Sequence, residues 1–349
     1  MNYHNASDIK RLMESLSNST ETVIVTHMKP DGDAVGSSVG TYHFIKSVLK
    51  KDAAMVMNDR YPGFLDFLTD EDTRKDMVIY AEDSSRAEDL IANADTIICL
   101  DFNAFHRTDN LAPLLESSKA FKILIDHHLY PESDKFDIVF SVPGISSTCE
   151  LVYQILMESE QTGNDATKLP AGCATALMTG MTTDTNNFAN SVFPSTLIMA
   201  SELIAAGVDR DKILENLFNC HSENRLRLMG HMMKDLLKIT ADGVAYIILD
   251  KATQQAYNIA EGDTEGFVNM PLSIKDVRIS MLLKEDTDRI RVSIRSKKGT
   301  SANALARLYF NGGGHENAAG GKLMIPVGDV EDYVRKHTHL YIVEDENRR

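Results

Sequence analysis

Five short runs rich in Val, Ile and Leu in the first half of the chain restrict its fold more than any other feature. They are TVIVT (22–26), AAMVM (53–57), DMVIY (76–80), DTIICLD (95–101) and FKILIDHH (121–128). Helical stretches such as DAVGSSVGTYHFIKSVLKK separate them. Runs that are apolar throughout belong to strands buried on both faces. Their alternation with helices points to a parallel sheet covered on both sides, with right-handed crossovers. SSTCELVYQILMESE and LPAGCATALMTGMTTDTNNF continue the helical pattern, with Ser147 or Thr148 placed to cap the first of them.

After Thr240 the pattern changes. GVAYIILD reads as a strand, and VRISMLLKEDTDRIRVSIRSK as an antiparallel pair around a polar KEDTDR turn. SANALARLYF reads as a short helix before the glycine-rich NGGGHENAAGG. With 349 residues, 43% apolar and 25% charged, the chain can fill two cores. The expected architecture is α/β. An N-terminal parallel-sheet domain covered by helices (1–193) leads through a helical linker (194–239) to a smaller C-terminal α/β domain (240–349), with a ligand cleft between the domains. Leu226, Leu228, Met229, Met232 and Met233 fall at helical spacing in the linker and read as packing. An exposed apolar stripe in this region would support a homodimer.

A net charge of −15 argues against coating long nucleic acid, long duplex DNA included, because neutralising phosphates needs a basic surface. It leaves room for bound cations and for a small anion in a local basic pocket. No apolar run approaches the ~18 residues of a membrane span. MNYHNASDIKRLMESL lacks the apolar stretch of a signal peptide. A cytoplasmic protein without membrane contact is therefore expected. Cys99, Cys149, Cys173 and Cys220 form no CxxC pair and read as reduced core residues.

Chemistry gathers where the apolar runs end. HMKPDGDAVGSS supplies His27, Asp31 and Asp33; IICLDFN supplies Asp101; ILIDHH supplies Asp126, His127 and His128; GMTTDTNNF supplies Asp184 within an apolar helix. Singly these have ordinary readings: Asp-Gly-Asp is a turn, Asp101 a strand-end cap, and a histidine pair a surface feature. Jointly they matter, because an open parallel sheet delivers its strand ends to one edge, where ligands bind. His27, Asp31, Asp33, Asp101, His127 and Asp184 provide four carboxylates and two imidazoles. That is enough for two divalent ions sharing one aspartate, at about 3.5–4 Å spacing. Mixed oxygen and imidazole donors suit Mn²⁺, with Mg²⁺ or Co²⁺ as alternatives. Gly32 is expected to keep the Asp-Gly-Asp turn tight, and Gly36, Ser37 and Ser38 to open the next helix. In the second half, residues 278–300 hold seven basic and three acidic side chains, which favours an anion site. In RVSIR, strand alternation puts Arg291, Ser293 and Arg295 on one face and Val292 and Ile294 on the other, toward the core.

DHH at 126–128, with HMKPDGDAVGSS upstream, LDFN between and GMTTDT downstream, resembles the DHH phosphoesterase superfamily. That superfamily includes the exonuclease RecJ, family II inorganic pyrophosphatases and nanoRNase/pAp-phosphatase proteins. RVSIRSK…NALARLYFNGGGHENAAGG resembles its DHHA1 substrate-binding domain and narrows the likeness to the nanoRNase/pAp-phosphatase type. The resemblance implies one metal on His27 and Asp31, another on Asp33, His127 and Asp184, and Asp101 bridging both. It implies that His128 faces the substrate phosphate as charge stabiliser or proton donor, and that Asp126 orients the histidines or the adjoining backbone. Substrate would be held by Ser293, Arg295, Asn303, Gly312, Gly313, Gly314 and His315. The implied activity is hydrolysis, by a hydroxide held between two metals, of oligonucleotides a few residues long to 5′-mononucleotides and of 3′-phosphoadenosine-5′-phosphate to AMP. Other readings are a phosphodiesterase of cyclic or linear dinucleotides, a RecJ-like single-strand exonuclease, and a non-catalytic nucleotide sensor.

Overall fold

The apolar runs form parallel strands: β1 (Thr22–Thr26), β2 (Ala53–Met57), β3 (Met77–Ile79), β4 (Thr96–Leu100) and β5 (Phe121–Asp126). A sixth parallel strand, β6 (Ile138–Ser141), is not apparent in the sequence. It is an edge strand whose burial alternates, so it lacks the continuous apolar run that marks the others. The computed structural model describes residues 6–259, 262–314 and 316–348, with the backbone alone over 344–348. The chain divides into two compact units, Met1–Cys220 and His221–Arg349.

In the first unit the sheet order is β3-β2-β1-β4-β5-β6, all parallel. The order reverses direction between β1 and β4, and an open sheet of this kind presents its binding crevice at that switch point, beyond the carboxyl ends of the strands. Alternate residues serve two cores. Ile24, Ile98, Ile123 and Ile125 face the helices Ala6–Asn18, Gly32–Phe44, Thr148–Met157 and Ala171–Asp184. Val23, Val25, Ile97, Cys99 and Leu124 face the other side, with Ala87 and Ile91 of the helix Ser84–Asn93.

The helices Gly32–Phe44 and Ala171–Asp184 approach very closely. A β-carbon on Gly36 would lie 2.6 Å from the Ala176 carbonyl oxygen, and one on Gly180 would lie 2.2 Å from Cys149 Sγ and 3.1 Å from Asp33 Cα. One on Gly32 would fall 2.3 Å from Thr183 Oγ1. Gly32 and Gly36 are thus contact points between helices, and the helix begins at Gly32 rather than around Gly36. Ser37 and Ser38 donate back to the carbonyls of Asp33 and Ala34, each at 2.7 Å.

The second unit is a mixed sheet, β7 (Lys238–Ile239), β8 (Val244–Leu249), β9 (Ile279–Glu285), β10 (Ile290–Ser296), β11 (Gly313–Gly314) and β12 (Ala318–Leu323), in the order β11-β12-β10-β9-β8-β7. β9 and β10 form the expected antiparallel hairpin, and the helices Ala302–Tyr309 and Val330–Arg348 contribute to its core. The helical segment 194–239 is shared out: Pro194–Ala205 and Arg210–Phe218 lie in the first unit, Glu223–His231 in the second. Leu228 and Met232 enter a core with Ile247 and Leu282, but Leu226 is exposed. Leu197, Ile198 and Ile204 are also exposed. Cys99, Cys149 and Cys173 are buried, whereas Cys220, expected in a core, is exposed. Acidity is confined to the first unit, which carries 33 acidic and 17 basic side chains against 18 and 19 in the second. Among the described residues no helix is long and apolar enough to cross a membrane.

Candidate metal centre

The loops after β1, β4 and β5 deliver the charged residues to the switch-point edge of the sheet. Directly after β1, His27 turns into the protein with its Nδ1 donating to the Met28 carbonyl at 2.8 Å. That bond leaves Nε2 as the outward acceptor, 3.4 Å from Asp101 Oδ2 and 3.9 Å from Asp31 Oδ1. Asp31 is the N-cap of the helix Gly32–Phe44: its Oδ1 accepts the amides of Asp33 and Ala34.

Asp33 points into the interior from the first turn of that helix. Its two oxygens accept the amides of Thr148 and Cys149, at 2.7 and 2.9 Å. These are the first amides of the helix Thr148–Met157, where the helix dipole stabilises negative charge. Ser147 is the N-cap of that helix, accepting from the Glu150 amide. Thr148 Oγ1 instead donates to Asp101 Oδ1 at 2.9 Å. By sequence Thr148 reads only as a cap; its tie to Asp101 joins residues 47 positions apart and has no local signature.

Asp101, directly after β4, has a left-handed conformation, with φ 64°, and its amide donates to the Ile125 carbonyl of β5 at 3.1 Å. A residue with a β-carbon adopts this backbone at some cost, as active-site residues often do. His127 Nε2 lies 3.6 Å from Asp101 Oδ1, 3.6 Å from Asp184 Oδ2 and 3.9 Å from Asp33 Oδ2. Asp184 closes the helix Ala171–Asp184, and the left-handed residues Asn186, Asn187 and Phe188 follow it. The close approach of the glycine-bearing helices brings Asp184 beside Asp33.

Asp126, the last residue of β5, is wholly buried. Its Oδ1 pairs with His128 Nδ1 at 2.7 Å and its Oδ2 accepts the His128 amide at 3.1 Å. The structure thus brings seven of the predicted residues, His27, Asp31, Asp33, Asp101, His127, His128 and Asp184, into three overlapping groups. These are His27, Asp31 and Asp101; Asp33, His127 and Asp184; and Asp101, His127 and His128. Within each group one ligand atom per residue lies within 4.8 Å of the others.

The electrostatics are those of a site short of positive charge. Burial, then repulsion from Asp31, pushes Asp33 up to about 6 despite its two amide donors. Burial and the neighbouring aspartates hold Asp101 and Asp184 well above the usual carboxylate range. Burial and the adjacent His128 push His127 down to about 4, which keeps it a neutral, ligand-competent imidazole. His128 goes the other way. Burial opposes its charge, but the bond to Asp126 and the Asp101 carboxylate outweigh that and raise its pKa.

In the second unit Val292 and Ile294 are buried and Arg291, Ser293 and Arg295 are partly buried, as the alternation of β10 requires. The Arg295 guanidinium donates to the Ile294 carbonyl at 3.0 Å and, among the described residues, meets no carboxylate. Burial lowers its pKa. Asn303 Oδ1 accepts the Gly314 amide at 3.1 Å. Gly312 and Gly314 are needed for the approach to β12: a β-carbon on either would lie 1.9 Å from the Gly320 oxygen or 2.5 Å from the Ala318 oxygen, respectively. Gly313 lies between them, its β-carbon position 3.5 Å from Asn303 Oδ1. His315 lies outside the described residues.

Residues 21–181 match the model of the DHH family N-terminal domain, and residues 229–335 that of the DHHA1 domain. A bifunctional oligoribonuclease and PAP phosphatase from Thermus thermophilus is 32% identical over 303 residues, covering 86% of this chain and 83% of that protein. The chain belongs to the DHH family. The chain is similar in structure to an exopolyphosphatase-related protein from Bacteroides fragilis, with a TM-score of 0.92, 37% identity and 99% of each chain covered. The exonuclease RecJ, solved bound to manganese, shares the fold at a TM-score of 0.57 and 15% identity, over 98% of this chain and 96% of that one.

Proposed function

We propose that this chain is a metal-dependent phosphoesterase of short 5′-phosphorylated oligonucleotides and of 3′-phosphoadenosine-5′-phosphate. The observation that carries the reading is the crowding of Asp33, Asp101 and Asp184 around His127, three carboxylates raised in pKa by burial and by neighbouring aspartates, Asp31 among them. Among the described residues no lysine or arginine pairs with them, and such a donor set fits divalent cations. His27 and Asp31 would hold one ion and Asp33, His127 and Asp184 a second, with Asp101 common to both. The mixed oxygen and imidazole set favours Mn²⁺ over Mg²⁺. Metals bound there would supply Lewis-acid stabilisation of phosphoryl charge and activation of water.

The chain's own residues account for the rest. Amides of Thr148 and Cys149 fix Asp33, Thr148 Oγ1 fixes Asp101, and Asp126 fixes His128. His128, more easily protonated than an ordinary imidazole, neutralises charge on the phosphate. Water oxygen bonds to phosphorus as the bond to the 3′-oxygen breaks, and that oxygen leaves with a proton. The same step serves both substrates, since each has a phosphorus on the 3′-oxygen of a 5′-phosphorylated nucleoside. A partly buried guanidinium that meets no carboxylate among the described residues seeks an anion, which favours Arg295 for the 5′-phosphate; Ser293, Asn303, Gly312, Gly313, Gly314 and His315 are the other proposed substrate contacts. The curated relative from Thermus thermophilus carries both activities in its name, which supports the pairing.

The test is a comparison with Mn²⁺ of a 5′-phosphorylated dinucleotide, 3′-phosphoadenosine-5′-phosphate, a long single strand, cyclic di-AMP and pyrophosphate. The expected preference is for the first two. Preference for the long strand, cyclic di-AMP or pyrophosphate would overturn the substrate assignment.

A further inference from the structure

Three apolar side chains stand in solvent on the loops that carry the histidines of the centre. Met28 follows His27 and is 40% exposed; Leu129 and Tyr130 follow His128 and are 53% and 87% exposed. The loops are fastened to one another. Asn103 Nδ2 donates to the Leu129 carbonyl at 2.7 Å, the Glu132 amide donates to the Asn103 carbonyl at 2.8 Å, and Glu132 Oε2 accepts the Phe105 amide at 3.3 Å. The Met28 amide donates to the Arg107 carbonyl at 2.8 Å. Within this frame Tyr130 has φ 60°, a left-handed backbone that a residue with a β-carbon adopts reluctantly. An aromatic residue held in that conformation by bonds on both sides, with its ring turned to water, is a position where side-chain presentation outweighs local stability.

The chemistry of the unit narrows what the ring can receive. With 33 acidic against 17 basic side chains, this unit offers little beyond its proposed ions and His128 to hold further negative charge, so the rest of the second nucleotide has to be held in another way. A nucleobase is neutral and planar, and stacking on an aromatic face tolerates any base. We infer that Tyr130, flanked by Leu129 and Met28, is the stacking platform for the nucleoside on the 3′ side of the scissile phosphate. This rests on the nucleotide reading above, in which the second unit holds the 5′-phosphate end. 3′-Phosphoadenosine-5′-phosphate has no nucleoside on that side, so the platform separates the two substrates.

The experiment uses the full chain, its Tyr130→Ala and Tyr130→Phe variants, and both substrates with Mn²⁺. Tyr130→Ala is expected to raise KM for a 5′-phosphorylated dinucleotide about tenfold and to leave KM for 3′-phosphoadenosine-5′-phosphate unchanged; Tyr130→Phe should behave as wild type. A second readout needs no turnover. In an Asp101→Ala background, a dinucleotide with 2-aminopurine as its 3′ base should lose fluorescence on binding, and should lose less when Tyr130 is also Ala. An unchanged dinucleotide KM, equal rises for both substrates, or quenching independent of Tyr130 would overturn the platform. A wild type that hydrolyses neither nucleotide overturns the function reading instead, and the quenching then decides the platform separately.

Discussion

The first unit gathers carboxylates beyond the ends of β1, β4 and β5 and holds them above their usual pKa range. The second is nearly neutral and sets on β10 a partly buried arginine that meets no carboxylate among the described residues. The first lacks positive charge around its carboxylates, and the second lacks negative charge locally, beside Arg295. In the function proposed above, this difference separates two tasks, metal-dependent chemistry in the first unit and choice of the anion in the second.

Asp101→Ala removes the residue common to both proposed ion sites, so it should abolish hydrolysis of dinucleotide and of bis(p-nitrophenyl) phosphate alike. A loss of roughly a thousandfold or more is expected, with circular dichroism unchanged; near-wild-type turnover would break the assignment of chemistry to the first unit. Arg295→Ala should act on the other side of the comparison. Losing a charge-assisted hydrogen bond to phosphate should cut kcat/KM for the dinucleotide about tenfold to a hundredfold, yet spare bis(p-nitrophenyl) phosphate. Equal losses on both substrates would dissolve the division of labour.

Thr148→Val keeps the side-chain shape and removes only the donor to Asp101. Mn²⁺ affinity measured by calorimetry should fall about tenfold, and Thr148→Ser should restore it. A smaller effect concerns the metal-free fold. The folded pKa of Asp33 is raised to about 6, so its contribution to stability is present in acid and lost as pH rises through that value. Mn²⁺ should therefore raise Tm more at pH 8, by roughly 5 °C at saturating metal, than at pH 5. A shift that is the same at both pH values would count against carboxylate crowding as the reason the site takes cations.

The sheet was readable because β1, β4 and β5 are continuous apolar runs that end in acids and imidazoles; topology does the rest. β6 escaped because its burial alternates at an edge. Leu226 and Cys220 were misplaced because helical spacing and an apolar neighbourhood do not say which face finds a partner. Gly36 reads as a helix opener, and only the approach of Ala176 across the helix pair explains it. Thr148 and Asn103 act through single bonds to distant residues, Asp101 and Leu129, and no periodicity marks such bonds. The second unit was legible in its hairpin but less so in its glycines, whose contacts are with the backbone of β12.

The contact at Gly36 and Gly180 gives the centre an unusual kind of fragility. The distance between Asp33 and Asp184 is set by how near two helix axes can come, which is a property of volume rather than of charge. A single methyl group at Gly180 would meet Cys149 Sγ and the Asp33 backbone before reaching either carboxylate. The centre can therefore be put out of gauge by a residue that carries no functional atom, at a position where a survey of charged side chains would find nothing to inspect.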